Sequence, residues 1–288
     1  MKAIYKREVS SYFNSMTGWV FVAVLTFFIG IYFFVNNLFS GYPYFSVSLN
    51  SVLVVFMVVI PVLTMRSLAD ERHSKTDQLL LTAPVPVTAV VLGKYFAMLT
   101  VFAVPVAIAC LCPLIIALNG SAFLLADYCS ILAFFLLGAV EIAVGMLVSS
   151  LTESQIIAFI STFGILLLLY LWDGILSFLP SSAFSGMIGI LLILTLIVVY
   201  IYHMTKNWML AAGIEAVGIV TALIVYFVKS SLYENLLTKL LGRLALADVF
   251  MNISSSNIVD VSGLLLYVSI LIIFVFLTIQ TIQKRRWS

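Results

Sequence analysis

Ionisable side chains stranded in apolar surroundings are the first places to look for chemistry in this sequence. Glu141, in GAVEIAVG, and Glu215, in AAGIEAVG, fall inside long hydrophobic runs. An ionised group there costs at least ~2.5 kcal/mol on insertion scales and turns toward a helix bundle or a wet cavity. Each is a candidate for holding a substrate or relaying a proton. The plainer reading is a carboxyl neutralised by protonation or hydrogen-bonded to a nearby Ser or Thr. For Glu141, flanked by small residues, that reading becomes a polar contact with a neighbouring helix.

Other chemistries find no constellation. His73 and His203 are too scattered for a dyad or a metal site, and Cys110, Cys112 and Cys129 lack zinc or disulfide spacing, so the cysteines read as fillers between helices. No Gly-x-Ser-x-Gly, His-Glu-x-x-His or G-x-x-x-x-G-K-[ST] pattern occurs. Neither covalent catalysis nor a P-loop nucleotide site is expected, and no metal.

The elements that must position these residues are membrane helices. Of 288 residues, 64% are hydrophobic and 9% charged, against about 25% charged in a soluble domain. In lipid only helices and closed barrels satisfy the backbone, and uniformly apolar runs exclude the alternation of barrel strands. Such runs lie near 18–39, 49–65, 92–118, 125–150, 155–178, 184–202, 208–228 and 262–282. The first continues to Phe39 with no signal-cleavage pattern. The expected fold is an all-α, polytopic transmembrane bundle of eight spans, in one domain over 1–288.

An even number of spans puts both termini on one side. On that side fall eleven Lys and Arg, against Lys229, Lys239 and Arg243 on the other, which makes it the cytoplasmic face. Residues 1–17 are expected to form an interfacial helix, with Ile4, Tyr5, Val9, Tyr12 and Phe13 toward lipid and Lys2, Lys6 and Arg7 toward anionic headgroups. The net charge of +2 is too small to suggest nucleic acid. Pro105 and Pro113, inside the third run, each remove a backbone donor and predict a kink or a break.

The segment 66–93 is the one long polar stretch expected on the inner face. Arg66, Arg72 and Lys75, with Lys94 beyond, mix with Asp70, Glu71 and Asp77, and Leu79, Leu80 and Leu81 follow. This reads as a short surface helix with an apolar edge, stopped by Pro84 and Pro86, with Thr88 capping the next span. It would give a soluble partner a handle on the membrane region; an ordinary solvated connector fits the charge pattern equally well. On the far side, residues 229–261 carry Leu232, Leu236, Leu240 and Leu244 at helical spacing, which predicts an amphipathic surface helix that packs on the membrane or acts as a lid.

DERHSKTDQLLLTAPVPVTAVVLGKYFA resembles the segment between the second and third helices of ABC-2 type transporter permeases. The matching positions are Glu71, Arg72, Thr76, Leu79, Leu80, Leu81, Thr82, Pro84, Gly93 and Lys94. GMLVSSLTESQIIAFISTFGILLLLYLW and the terminal LLLYVSILIIFVFLTIQTIQKRRW are similar to the gliding-motility and copper-site-maturation branch. The run pair near 184–228 departs from the six-helix plan of many members.

The resemblance implies a permease subunit in a bacterial cell membrane that exports a substrate. It implies a partner ATP-binding cassette ATPase holding the ATP, a second permease in a homo- or heterodimer, and room for an auxiliary membrane protein. Glu71 to Pro84 would then be the ATPase-coupling residues. A secondary transporter driven by an ion gradient is the alternative, motivated by Glu141, Glu215 and the proline-interrupted third run.

Overall fold

The computed structural model describes residues 1–76, 85–120, 122–178, 182–228, 233, 236–242, 245–256 and 260–287. Among these residues the fold is all-helical. Five helical stretches are long and apolar enough to cross a membrane: Met16–Phe39, Ser46–His73, Val87–Leu118, Leu124–Leu151 and Val261–Arg285. They mark a multi-pass membrane protein. A further apolar helix, Gln155–Tyr170, is shorter.

The chain divides into two compact units, Met1–Tyr170 with Leu246–Ser288, and Leu171–Ala245. In the first, α1 (Lys2–Asn14) turns at Ser15 into α2 (Met16–Tyr32). The turn is tight: a Cβ on Gly18 would lie 2.4 Å from the Tyr12 carbonyl oxygen, so only glycine permits this corner. A π-helical turn, Phe33–Phe39, ends the span. There buried Asn37 donates to the carbonyls of Tyr42 and Tyr44 and accepts from Ser48 Oγ.

Next come α3 (Ser46–Thr64), the five-residue α4 (Ala69–His73) and α5 (Val87–Ala109). Pro105 is accommodated within α5, whereas Pro113 sits in the first turn of α6 (Cys112–Asn119) after a break. A first-turn proline forfeits no helical hydrogen bond. α7 (Leu124–Leu151) and α8 (Gln155–Tyr170) follow, and α13 (Leu246–Ser256) and α14 (Val261–Trp287) complete the unit.

At its centre Phe56, Phe102, Phe134 and Phe250 interlock, with ring centroids 4.5 Å apart for Phe56 and Phe134. α7 is the axis of this packing. Gly138 admits the edge of the Phe102 ring, and Gly145 admits the Thr64 side chain. Small residues let helices approach closely where no hydrophobic force drives them together in lipid. α7 also caps its parallel neighbour: Asp127 Oδ1 accepts the Phe45 N–H at 2.8 Å, at the start of α3.

The second unit holds α9 (Trp172–Ser177), α10 (Ala183–Thr205), α11 (Trp208–Val228) and α12 (Leu236–Gly242). Gly218 lets α11 close onto Leu194 of α10, and Tyr233 donates to the Ala222 carbonyl at 3.1 Å. Trp172 Nε1 donates to the Leu241 carbonyl.

Several expectations change. The run expected over 155–178 is split at Leu171 into α8 and α9. Of the helix expected after Arg66, the described part ends at His73, and Lys75 takes a left-handed φ of 57°, which a long side chain adopts rarely; its expected leucine edge lies outside the described residues. Thr88 is not the cap of α5, because the helix begins at Val87 behind an extended Pro86. Of the leucine-patterned segment, the described residues form two helices, α12 and α13. α13 buries Leu246, Phe250 and Ile253 in the core rather than lying on a surface. Leu232 and Leu244 lie outside the described residues.

Candidate functional site

The charged corner of the first unit is assembled from six helices, α1, α4, α5, α7, α8 and α14. It starts where α3 ends: Ser149 Oγ of α7 accepts the N–H groups of Leu68 and Ala69, at 3.2 and 3.1 Å, and donates to the Met65 carbonyl. One hydroxyl therefore satisfies two donors at the start of α4 that the helix itself leaves open. It caps a helix to which it does not belong.

From α4 the side chains reach in two directions. Toward the α7–α8 turn, Gln155 Nε2 donates to Asp70 Oδ1 at 2.6 Å, and Arg72 donates to the Ser150 carbonyl and lies 3.6 Å from Glu153. Arg285 of α14 approaches the same Glu153 carboxylate at 3.8 Å. Toward α1 and α5, Glu71 Oε1 lies 2.8 Å from Lys94 Nζ and 3.2 Å from Arg7. Glu8 of α1 closes the ring, 3.3 Å from Lys94 and 2.7 Å from Arg7.

Two acids thus neutralise two bases. Lys94 is only 3% exposed, whereas Arg7 is 58% exposed. A buried ammonium survives only when its partners replace its water. Glu71 and Glu8 do so together. The hydrogen bond to Glu8 raises the Arg7 pKa, against a partial burial that lowers it. Beneath them Tyr12 is buried, which pushes its phenol above the ordinary range, and its hydroxyl donates to the Leu63 carbonyl. Thr76 Oγ1 donates to the Glu71 carbonyl. These groups border a cavity of about 390 Å³, lined in addition by Ser11, Arg66 and Asp70.

Glu71, Arg72 and Thr76 are therefore brought together at one corner. Leu79, Leu80, Leu81, Thr82 and Pro84 lie outside the described residues. The expectation for α1 is corrected: its apolar side faces protein. Tyr12 is buried, Ile4 packs on Gly93, and Tyr5 hydrogen-bonds Thr100 of α5 at 2.9 Å. Lys94 is also displaced from its expected place beside the loop. It stands seven residues into α5, about 10 Å along the axis.

Glu141 occupies the middle of α7. Its Oε2 is buried with no hydrogen-bond partner, beside a void of about 10 Å³ walled by Leu53, Met57, Leu137, Leu169, Tyr170, Leu246 and Ala247. The void holds one water at most. The expected polar contact with a neighbouring helix is not made at this oxygen, because the helices that meet there present apolar side chains. Glu215 is half-buried on α11, in the other unit.

Glu8, Ser149, Glu153 and Gln155 were not singled out by sequence reasoning. Glu8 carried a signal, as the only acid in a basic amphipathic segment. Ser149 carried none, since its partners are 80 residues away. Among the described residues no three His, Cys, Asp or Glu side chains are grouped to hold a metal. Compared with known proteins, the chain matches no family model and no curated protein.

Proposed function

We propose that this chain is the membrane-spanning permease subunit of an ATP-driven exporter of the ABC-2 type, worked by a separate ATPase chain. In this reading eight spans cross a bacterial cell membrane, both termini are cytoplasmic, and a second permease completes the path. The ATP stays on the partner ATPase.

One observation carries the reading. The corner around α4 is tied at once to α1, α5 and the α7–α8 turn, through Glu71 to Lys94 and Arg7, and through Asp70 and Arg72 to Gln155 and Ser150. A push delivered there moves several spans together rather than bending a loop. Packed interfaces respond to such a push by switching between discrete arrangements. The resemblance over Glu71 to Lys94 supplies the identity of the motor.

The test is ATP hydrolysis by the assembled complex in its membrane. Glu71→Ala and Leu80→Ala are expected to abolish substrate-dependent hydrolysis while leaving expression intact. Cysteine crosslinks from positions 74–76 are expected to capture the ATPase. Coupling unchanged in both variants, with no captured neighbour, sinks the reading.

A secondary transporter is the second reading, favoured by the buried Glu141 Oε2 that has no hydrogen-bond partner within a candidate span. Transport by the purified chain alone in liposomes, following a proton or sodium gradient, supports it over the first.

A further inference from the structure

A groove of about 580 Å³ runs between α1 and the flank of the bundle, open along one side. Its wall is a stripe on α5, Phe96, Leu99 and Ala103, continued by Phe135 of α7, and its roof is α1. The spacing of 96, 99 and 103 puts the three on one helical face. Its polar groups are consumed internally: Tyr5 and Thr100 hydrogen-bond each other, and Thr100 Oγ1 also bonds the Phe96 carbonyl. What remains is an apolar trough with a cation at one end, Lys2.

That cation is unspent. Glu8, the one acid of α1, is engaged by Lys94 and Arg7, and Arg7 is held by Glu8 and Glu71. Lys2 and Lys6 make no ion pair among the described residues, and both are exposed. The helix therefore pairs a hydrocarbon-lined slot with an excess of positive charge at its mouth, which is the complement of a single acyl chain bearing an anionic headgroup.

We propose that this groove is a binding site for an anionic phospholipid, with one acyl chain along Phe96, Leu99 and Ala103 and the phosphate on Lys2. The site requires only that the chain lie in a bilayer, so it stands apart from the transport reading. A juxtamembrane cation contributes sequence-readable preference for anionic lipid, and each buried methylene adds to retention.

The test uses the full chain reconstituted in nanodiscs of phosphatidylglycerol and phosphatidylcholine with matched acyl chains, extracted mildly and weighed by native mass spectrometry. Wild type is expected to retain phosphatidylglycerol about fivefold over its share of the bilayer. Lys2→Gln, an exposed change, is expected to bring retention to parity, and Ala103→Trp to remove the retained lipid of either headgroup. Retention in proportion to the bilayer in wild type overturns the proposal. So does a lipid complement left unaltered by Ala103→Trp, or disulfide crosslinking of two copies through Ala103→Cys, which would make the occupant another chain.

Discussion

Lys94 Nζ lies 2.8 Å from Glu71 Oε1, joining the helix that follows the first charged turn to the span that begins after it. The two residues are 23 positions apart in the chain, and Glu8 of α1 shares the same ammonium. Through this one cation the N-terminal helix, α4 and α5 become a single mechanical piece. The proposed coupling of motor to membrane depends on that rigidity.

The members of this cluster should differ sharply in their contribution to stability. Lys94→Met strands two carboxylates around a buried site, and breaking a buried pair costs about 3 kcal/mol or more. Glu71→Gln should cost less, because Glu8 still faces the lysine. Arg7→Ala should cost under about 1 kcal/mol, as solvent-exposed pairs do. Reversible unfolding in mixed detergent micelles gives the order, and an Arg7 variant as damaging as Lys94→Met would overturn it.

The α3–α7 seam predicts a second contrast. Ser149→Ala removes the acceptor of two N–H groups and should cost about 1–2 kcal/mol. A Cβ on Gly145 would stand 2.3 Å from Thr64 Oγ1, so Gly145→Ala should cost about 1–3 kcal/mol through overpacking. The double variant with Thr64→Ala should recover part of it. Gly30, which has open space around its missing Cβ, should accept alanine with no loss. Melting midpoints of the four variants, measured side by side, decide the matter.

What the sequence disclosed followed from local physics. Long apolar runs read as helices because lipid permits little else, and α1, α3, α10 and α11 were legible to within a few residues. Where tertiary packing overrides pattern, the reading failed. The leucine-patterned segment is helical over Leu236–Gly242 but its continuation at Leu246 enters the core, and the apolar side of α1 met α5 instead of lipid. In the candidate site Glu71 and Arg72 were visible as charges in a patterned stretch. Lys94 was visible as a charge too, but its pairing with Glu71 was not, nor were Glu8 and Ser150, because these groups converge only after four helices have packed.

Asp260 supplies a pH dependence. Its Oδ1 accepts from Ser262 N–H and Oγ at the start of α14, and the Ser262 hydrogen bond holds its pKa below the ordinary aspartate value. A carboxylate with a depressed folded pKa stabilises the fold above its unfolded pKa and loses that contribution as pH falls through the folded value. Amide exchange at Ser262 and Gly263 should therefore be protected at neutral pH and lose protection in acid, after correction for intrinsic rates. Asp260→Asn, which still accepts a hydrogen bond but does not titrate there, should show no such step. An identical pH response in wild type and variant would remove the cap from the explanation.

Glu141 separates stability from function. With Oε2 buried against Leu53, Met57, Leu137 and Leu246 and no hydrogen-bond partner, its carboxyl should weaken the fold by about 1–3 kcal/mol relative to an apolar side chain of similar size. Glu141→Met should accordingly raise the unfolding midpoint, and Glu141→Gln, which keeps the polarity, should raise it less. Destabilised groups persist where activity needs them, so transport must be measured in the same variants. An ATP-driven permease has no use for a proton at this position and should go on exporting with Met at 141, whereas a gradient-driven transporter that loads its proton on Glu141 should stop with either substitution. A variant less stable than wild type would show that the carboxyl has a partner, such as a water in the adjoining void, and would return it to the role of packed polar contact.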